Sequence, residues 1–121
     1  MAQHNDFGKK GEEIARNFLV QKGHQILGTN YVFQRAEIDI ISKLKNGILV
    51  FTEVKTLANK KSGNPEDAVS KSKQNQIAKA ALNYIEENNH QGEIRYDIIA
   101  VTLYGEREVF HIEDAFFPTN F

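Results

Sequence analysis

Glu37-Ile38-Asp39-Ile40-Ile41-Ser42-Lys43, then Leu44-Lys45-Asn46-Gly47, then Ile48-Leu49-Val50-Phe51-Thr52-Glu53-Val54-Lys55 is the stretch whose reading decides how this chain folds. Two runs rich in branched and aromatic residues flank an Asn-Gly turn signal, which predicts an antiparallel hairpin. Strand alternation places Leu49, Phe51, Glu53 and Lys55 on one face of the second strand, with Ile48, Val50, Thr52 and Val54 on the other. The turn sets what lies opposite. A two-residue Asn46-Gly47 turn would pair Asp39 with Val54. A three-residue loop with Gly47 in the left-handed conformation pairs Leu44 with Ile48, and therefore Asp39 with Glu53 and Glu37 with Lys55. The three-residue loop is the expected one, because two carboxylates sharing a face are tolerated when a cation lies between them. That choice already assumes the chemistry argued below.

Upstream, a strand is expected around Gln25–Tyr31. A first helix is expected from about Asp6 to Lys22, where Phe7, Ile14, Ala15, Phe18 and Leu19 recur at helical spacing and Asn5 or Asp6 can cap. Glu12 falls at the edge of its apolar arc and Glu13 faces water. Gly8 and Gly11 weaken a helix, so each hints at close approach by a neighbouring strand or ligand. Downstream, Thr56–Ser70 is a fifteen-residue polar connection, with Asn64-Pro65-Glu66-Asp67 resembling a helix start. A second helix over Lys71–Asn88 would bury Ile77, Ala80, Ala81, Tyr84 and Ile85. Lys73 and Gln74 should then point toward the end of the Glu53 strand, and Lys79 away from it. Arg95–Thr102 and Glu108–Ile112 read as further strands. A strand, a crossover helix and a strand imply a parallel pair, so the expected fold is α/β, a mixed central sheet of about five strands flanked by two main helices.

At 121 residues the chain is expected to form one domain, spanning 1–121. With 40% apolar and 26% charged residues it has the composition of an ordinary globular protein. Cysteine is absent, which removes disulfides and thiolate ligands, and histidines at 4, 24, 90 and 111 have no metal-binding spacing, which speaks against zinc. The polar start, Met1 to Asp6, contains no apolar run; neither a signal peptide nor a membrane span is expected, and the cytoplasm is the expected compartment. Net charge is −1, yet Lys55, Lys60, Lys61, Lys71, Lys73 and Lys79 against Glu66 and Asp67 give +4 between positions 55 and 79. A basic stretch beside acidic residues can meet phosphates while the rest of the surface stays acidic.

Hydrolysis of a phosphodiester needs a divalent ion to neutralise non-bridging oxygens and activate water, with a further cation near the developing charge. Asp39 and Glu53 offer hard oxygen ligands for magnesium or manganese, and the Val54 carbonyl between Glu53 and Lys55 is a third candidate. Lys55 would orient water or stabilise the transition state. Glu12, from the first helix, would bind the ion through water or hold a second one. Lys73 and Gln74, with Lys60 and Lys61 from the basic stretch, are the expected phosphate contacts. Arg95 and Asp97 read as structural. Phe110, Phe116, Phe117 and Phe121 read as packing, or as a homodimer contact if exposed.

These residues form a recognisable order: Gly8-x-x-Gly11-Glu12-x-x-Ala15, Asn30-Tyr31, Glu37-Ile38-Asp39, Phe51-Thr52-Glu53-Val54-Lys55-Thr56, Gly63-x-Pro65-Glu66-x-Ala68-Val69, Lys73-Gln74 and Arg95-Tyr96-Asp97-Ile98. The order resembles the PD-(D/E)xK nuclease superfamily and, within it, the archaeal Holliday junction resolvases. Nearly the whole chain is similar to the YraN-like (UPF0102) family of uncharacterised bacterial proteins. The resemblance implies a restriction-endonuclease-like core and a magnesium- or manganese-dependent endonuclease acting on DNA, including branched or structured DNA. The alternative it leaves is a nucleic-acid-binding or protein-interaction module that keeps the fold without cleaving. Ala36, Leu57 and Val32 depart from the family pattern, and none of them is a candidate ligand.

Overall fold

The computed structural model describes residues 2–59 and 69–118, with side chains from Asp6 onward. Lys60, Lys61, the expected helix start at Asn64-Pro65 and Phe121 lie outside the described residues. The elements follow as α1 (Ala2–Gln21), β1 (Gln25–Phe33), β2 (Ala36–Lys43), β3 (Leu49–Leu57), α2 (Lys71–Glu87), β4 (Ile94–Thr102) and β5 (Glu108–Ile112). The strands form one sheet in the order β1-β2-β3-β4-β5. Among the described residues only β3 and β4 run parallel, with α2 as their crossover. The remaining neighbours are antiparallel, so the expected mixed α/β sheet is present.

Alternation along β4 separates two cores. Ile98 and Tyr96 join Phe51, Leu49, Ile38 and Ile41 beneath Ile77, Ala80 and Ala81 of α2. Ile99 and Val101 join Ile40 beneath Ala15 and Leu19 of α1. Adjacent residues on one strand thus feed opposite layers, which puts one helix on each face of the sheet. Helix α1 starts at Ala2, so Asn5 and Asp6 lie inside it and do not cap it as expected. It ends in the usual way for a helix followed by glycine: Gly23 takes φ +98°, and the amides of Gly23 and His24 return to the carbonyls of Val20 and Leu19.

Of the two helical glycines, one meets the expectation of close approach. A Cβ on Gly11 would sit 2.0 Å from Thr56 Oγ1, so α1 lies directly against β3 there. Gly8 has nothing within 4 Å and no such reason. At α2, Ser70 caps the first turn by accepting from the Lys73 amide at 3.2 Å. The phenylalanine-rich end divides: Phe116 is buried and stacked on Tyr96 at 5.2 Å, whereas Phe110 and Phe117 are exposed. Asp97 is fully buried and structural, as expected; it accepts from Arg95 Nε and Nη2 at 2.8 Å each, from His111 Nε2 at 2.7 Å and from the Asp114 amide at 3.0 Å. No helix among the described residues is long and apolar enough to cross a membrane.

Candidate functional site

The site begins where β2 and β3 part. The β2–β3 ladder pairs Lys43 with Leu49, Ser42 with Val50, Ile41 with Phe51 and Ile40 with Thr52, and there it stops. Its turn is the expected three-residue one: the Leu44 amide donates to the Ile48 carbonyl and the Gly47 amide to Leu44, with Gly47 at φ +94°. The same register sets Asp39 opposite Glu53, but no backbone pair forms between them. Instead the Val54 amide donates to Asp39 Oδ2 at 2.7 Å. On the other flank the β1–β2 pairing skips Asn30, which takes φ +52°. Facing also slips here, because Ile38 and Ile41 both pack under α2 while Ile40 packs under α1. Sheet distortions on both sides therefore surround Asp39, and its side chain bridges the opening between the strands.

Asp39 and Glu53 are 8% and 7% exposed. Burial first, then the adjacent Glu53 charge, push the Asp39 carboxyl up to about 8, against the opposite pull of the Val54 amide; a hydrogen bond to Glu53 raises it further. The two acids hence sit close enough to share a proton. Glu53 is also paired with Lys73, whose ammonium contacts Glu53 Oε2. Together they line a cavity of about 530 Å³ into which Glu12, Glu37, Arg35, Ser70 and Gln76 also open.

Glu12 reaches this cavity from α1, as the helical arc indicated. It is held there by Asn30, whose Nδ2 donates to Glu12 Oε1 at 3.1 Å and to Glu37 Oε2 at 3.3 Å. Lys73 points to the sheet end as expected, but its contact is the Glu53 carboxylate. Gln74 does not join them: one residue further round the helix, its Nε2 donates back to the Val69 carbonyl at 3.2 Å. Lys55 is exposed, two residues beyond Glu53 on the same face of β3, and is not part of the cavity lining. Glu37 pairs with Val32 of β1, and the β2–β3 ladder ends before it reaches Glu37 and Lys55.

The sequence reading did not single out Gln76, which lines the cavity, or Asn30, which holds two of the lining acids. Gln76 stands three positions after Lys73 on one helical face, a spacing that could have selected it over Gln74. Asn30 was visible only as part of an Asn-Tyr pair; its signal is that asparagine tolerates the left-handed conformation better than most residues.

A hard divalent cation suits this donor set. For the buried Asp39 carboxyl the neighbouring Glu53 charge is the largest electrostatic cost after burial, and a cation between the two removes it. Among the described residues no three His, Cys, Asp or Glu side chains are grouped to hold a metal ion. The pair would therefore be completed by backbone oxygen, such as the Val54 carbonyl, and by water, a common arrangement for magnesium.

Residues 11–101 match the profile of the uncharacterised protein family UPF0102. A UPF0102 protein from Flavobacterium psychrophilum is 49% identical over 120 residues, covering 97% of this chain and 98% of that protein. A second, from Christiangramia forsetii, is 45% identical over 118 residues with the same coverage, 97% and 98%. A third, from Phocaeicola vulgatus, is 42% identical over 121 residues and covers 98% of both chains.

Proposed function

The chain belongs to the uncharacterised family UPF0102, and from that premise we propose that it is a metal-dependent endonuclease hydrolysing phosphodiester bonds in DNA, branched or structured DNA included. The observation that carries this reading is the meeting of Asp39 and Glu53 in the opening between β2 and β3, inside a cavity large enough to admit a phosphate. Magnesium or manganese bound there would supply positive charge at the phosphate oxygens and water activation near neutral pH. Asp39 and Glu53 would hold the ion, with the Val54 carbonyl as a third oxygen. Asn30 keeps Glu12 turned into the same cavity, where its carboxylate can order water. Lys55, at the open end of β3, would stabilise charge on the phosphate as water attacks phosphorus and one P–O ester bond breaks. The products are a phosphomonoester and a free hydroxyl.

A second reading has one observation in its favour. The Lys73 ammonium already neutralises Glu53, and Asp39 is satisfied by Val54 and Glu53, so the cavity balances its charges with groups of its own, as a non-catalytic nucleic-acid-binding or protein-interaction module would. Calorimetry separates the two. The nuclease reading expects manganese binding that Asp39→Ala and Glu53→Ala each abolish, and cleavage of duplex, single-stranded, flap or four-way-junction DNA that Lys55→Ala reduces at least 100-fold. Absence of cleavage on all four substrates with either metal, together with nucleic-acid or protein binding indifferent to chelator, would establish the module.

A further inference from the structure

The carboxylate cavity does not end at Arg35. Arg35, Ala36 and Gln76 also line a second, smaller cavity of about 210 Å³, completed by Phe33, Gln34 and Lys79. The two form one continuous groove between the β1–β2 turn and the first turns of α2. Its charge is strongly uneven. Glu12, Glu37, Asp39 and Glu53 line one end, with Lys73 paired to Glu53, whereas the other end is lined by Arg35 and Lys79 with the amides of Gln34 and Gln76, and by no carboxylate among the described residues. Lys79, expected to point away from the end of the Glu53 strand, is absent from the carboxylate cavity and forms part of this second lining.

A polyanionic strand delivering one phosphate to the carboxylates is repelled by Glu12, Glu37 and Asp39, since Lys73 is already paired with Glu53 and a cation held by the acids would be needed to offset the rest. Its neighbouring phosphates must find positive charge further along, and the shorter arm of the groove is where the surface supplies it. We infer that this arm holds the nucleic-acid strand flanking the phosphate at the carboxylate end, with Arg35 and Lys79 on backbone phosphates and Gln34 and Gln76 donating to phosphate or sugar oxygens. Contacts of these types fix position without reading sequence, and Phe33 adds an aromatic wall of the kind on which bases stack. The role given to the strand rests on the nuclease reading of the adjoining cavity, whereas its binding is independent of catalysis.

The test measures binding of a fluorescent DNA oligonucleotide by anisotropy in EDTA, from 50 to 200 mM salt. Each lost phosphate contact lowers the slope of log K against log salt by about 0.7–0.9. Arg35→Ala/Lys79→Ala should therefore weaken binding at least tenfold at low salt and flatten the slope by about 1.4 to 1.8. Arg35→Lys/Lys79→Arg should keep the slope. Lys43→Ala/Lys45→Ala, the same charge change at the far hairpin, should leave it unaltered. No binding by the wild type, an unchanged slope in the Arg35/Lys79 double variant, or an equal loss in the hairpin variant would each overturn the inference. Manganese calorimetry on the same proteins judges the carboxylate site separately: binding retained in Arg35→Ala/Lys79→Ala keeps the nuclease reading standing whatever the groove does.

Discussion

Asp39 carries its proton into a pH range where an ordinary carboxyl has lost it, because burial and then Glu53 raise it to about 8. The unfolded chain releases that proton near the normal aspartate value, so between the two the folded chain binds more protons. The sign follows: the contribution to stability is complete below the unfolded value and is lost as pH rises through the folded one. Asp39→Asn, permanently uncharged, removes this dependence. Thermal unfolding of the metal-free protein between about pH 5 and pH 8 should show the wild type losing more stability than Asp39→Asn, and the gap widening upward. Parallel curves would refute it. At this scale the sequence was informative about which acids meet and silent about what holds them. Asp39 and Glu53 follow from strand alternation and turn length, whereas the Asn30 bridge depends on a single left-handed residue, and the Lys73–Glu53 pair depends on where a helix docks after a long connection.

Helix α1 shows how an element is placed by what it lacks. Gly11 lets the helix backbone ride against Thr56, and a methyl there has no room. Gly11→Ala should cost about 1–3 kcal/mol through forced displacement of helix from strand, whereas Gly8→Ala, with open space around it, should be neutral or stabilise by up to about 1 kcal/mol through helix propensity. Urea denaturation of the two variants checks both; equal effects would mean that contact with β3 is not what selects glycine at position 11. The sequence offered the two glycines as equivalents, since spacing along a helix carries no record of which turn faces the crowded strand. Hairpin register was legible only down to two loop lengths at Asn46-Gly47, and the choice between them drew on the pairing of the carboxylates. The slip in β2 was not, since Ile38-Asp39-Ile40-Ile41 alternates as plausibly in a regular strand as in a distorted one.

At the scale of the molecule, Asp97 ties four separate stretches together. Through His111 and Lys22 it links β5 to the residue after α1, at 2.7 and 2.8 Å, and through its remaining oxygen it holds the Asp114 amide beyond β5. Burial alone would raise the Asp97 carboxyl, but the bonds from His111, Arg95 and Asp114 outweigh it and leave it below the ordinary value. Asp97→Ala should therefore destabilise the fold by about 3–5 kcal/mol, leaving the Arg95 charge without its buried partner; a loss under about 1 kcal/mol in chemical denaturation would show the cluster to be dispensable. The sequence reading assigned Arg95 and Asp97 to structure, yet nothing at positions 22, 111 and 114 announces that they converge, because that requires β5 to lie at the sheet edge beside α1. The strand order carries one more consequence, concerning time. Asp39 and Glu53 are brought together by a local hairpin with thirteen residues between them, while Lys73 arrives only when the long crossover closes, a slower event. Repulsion thus precedes its remedy as the chain assembles, and the ammonium that relieves it helps draw α2 onto the sheet.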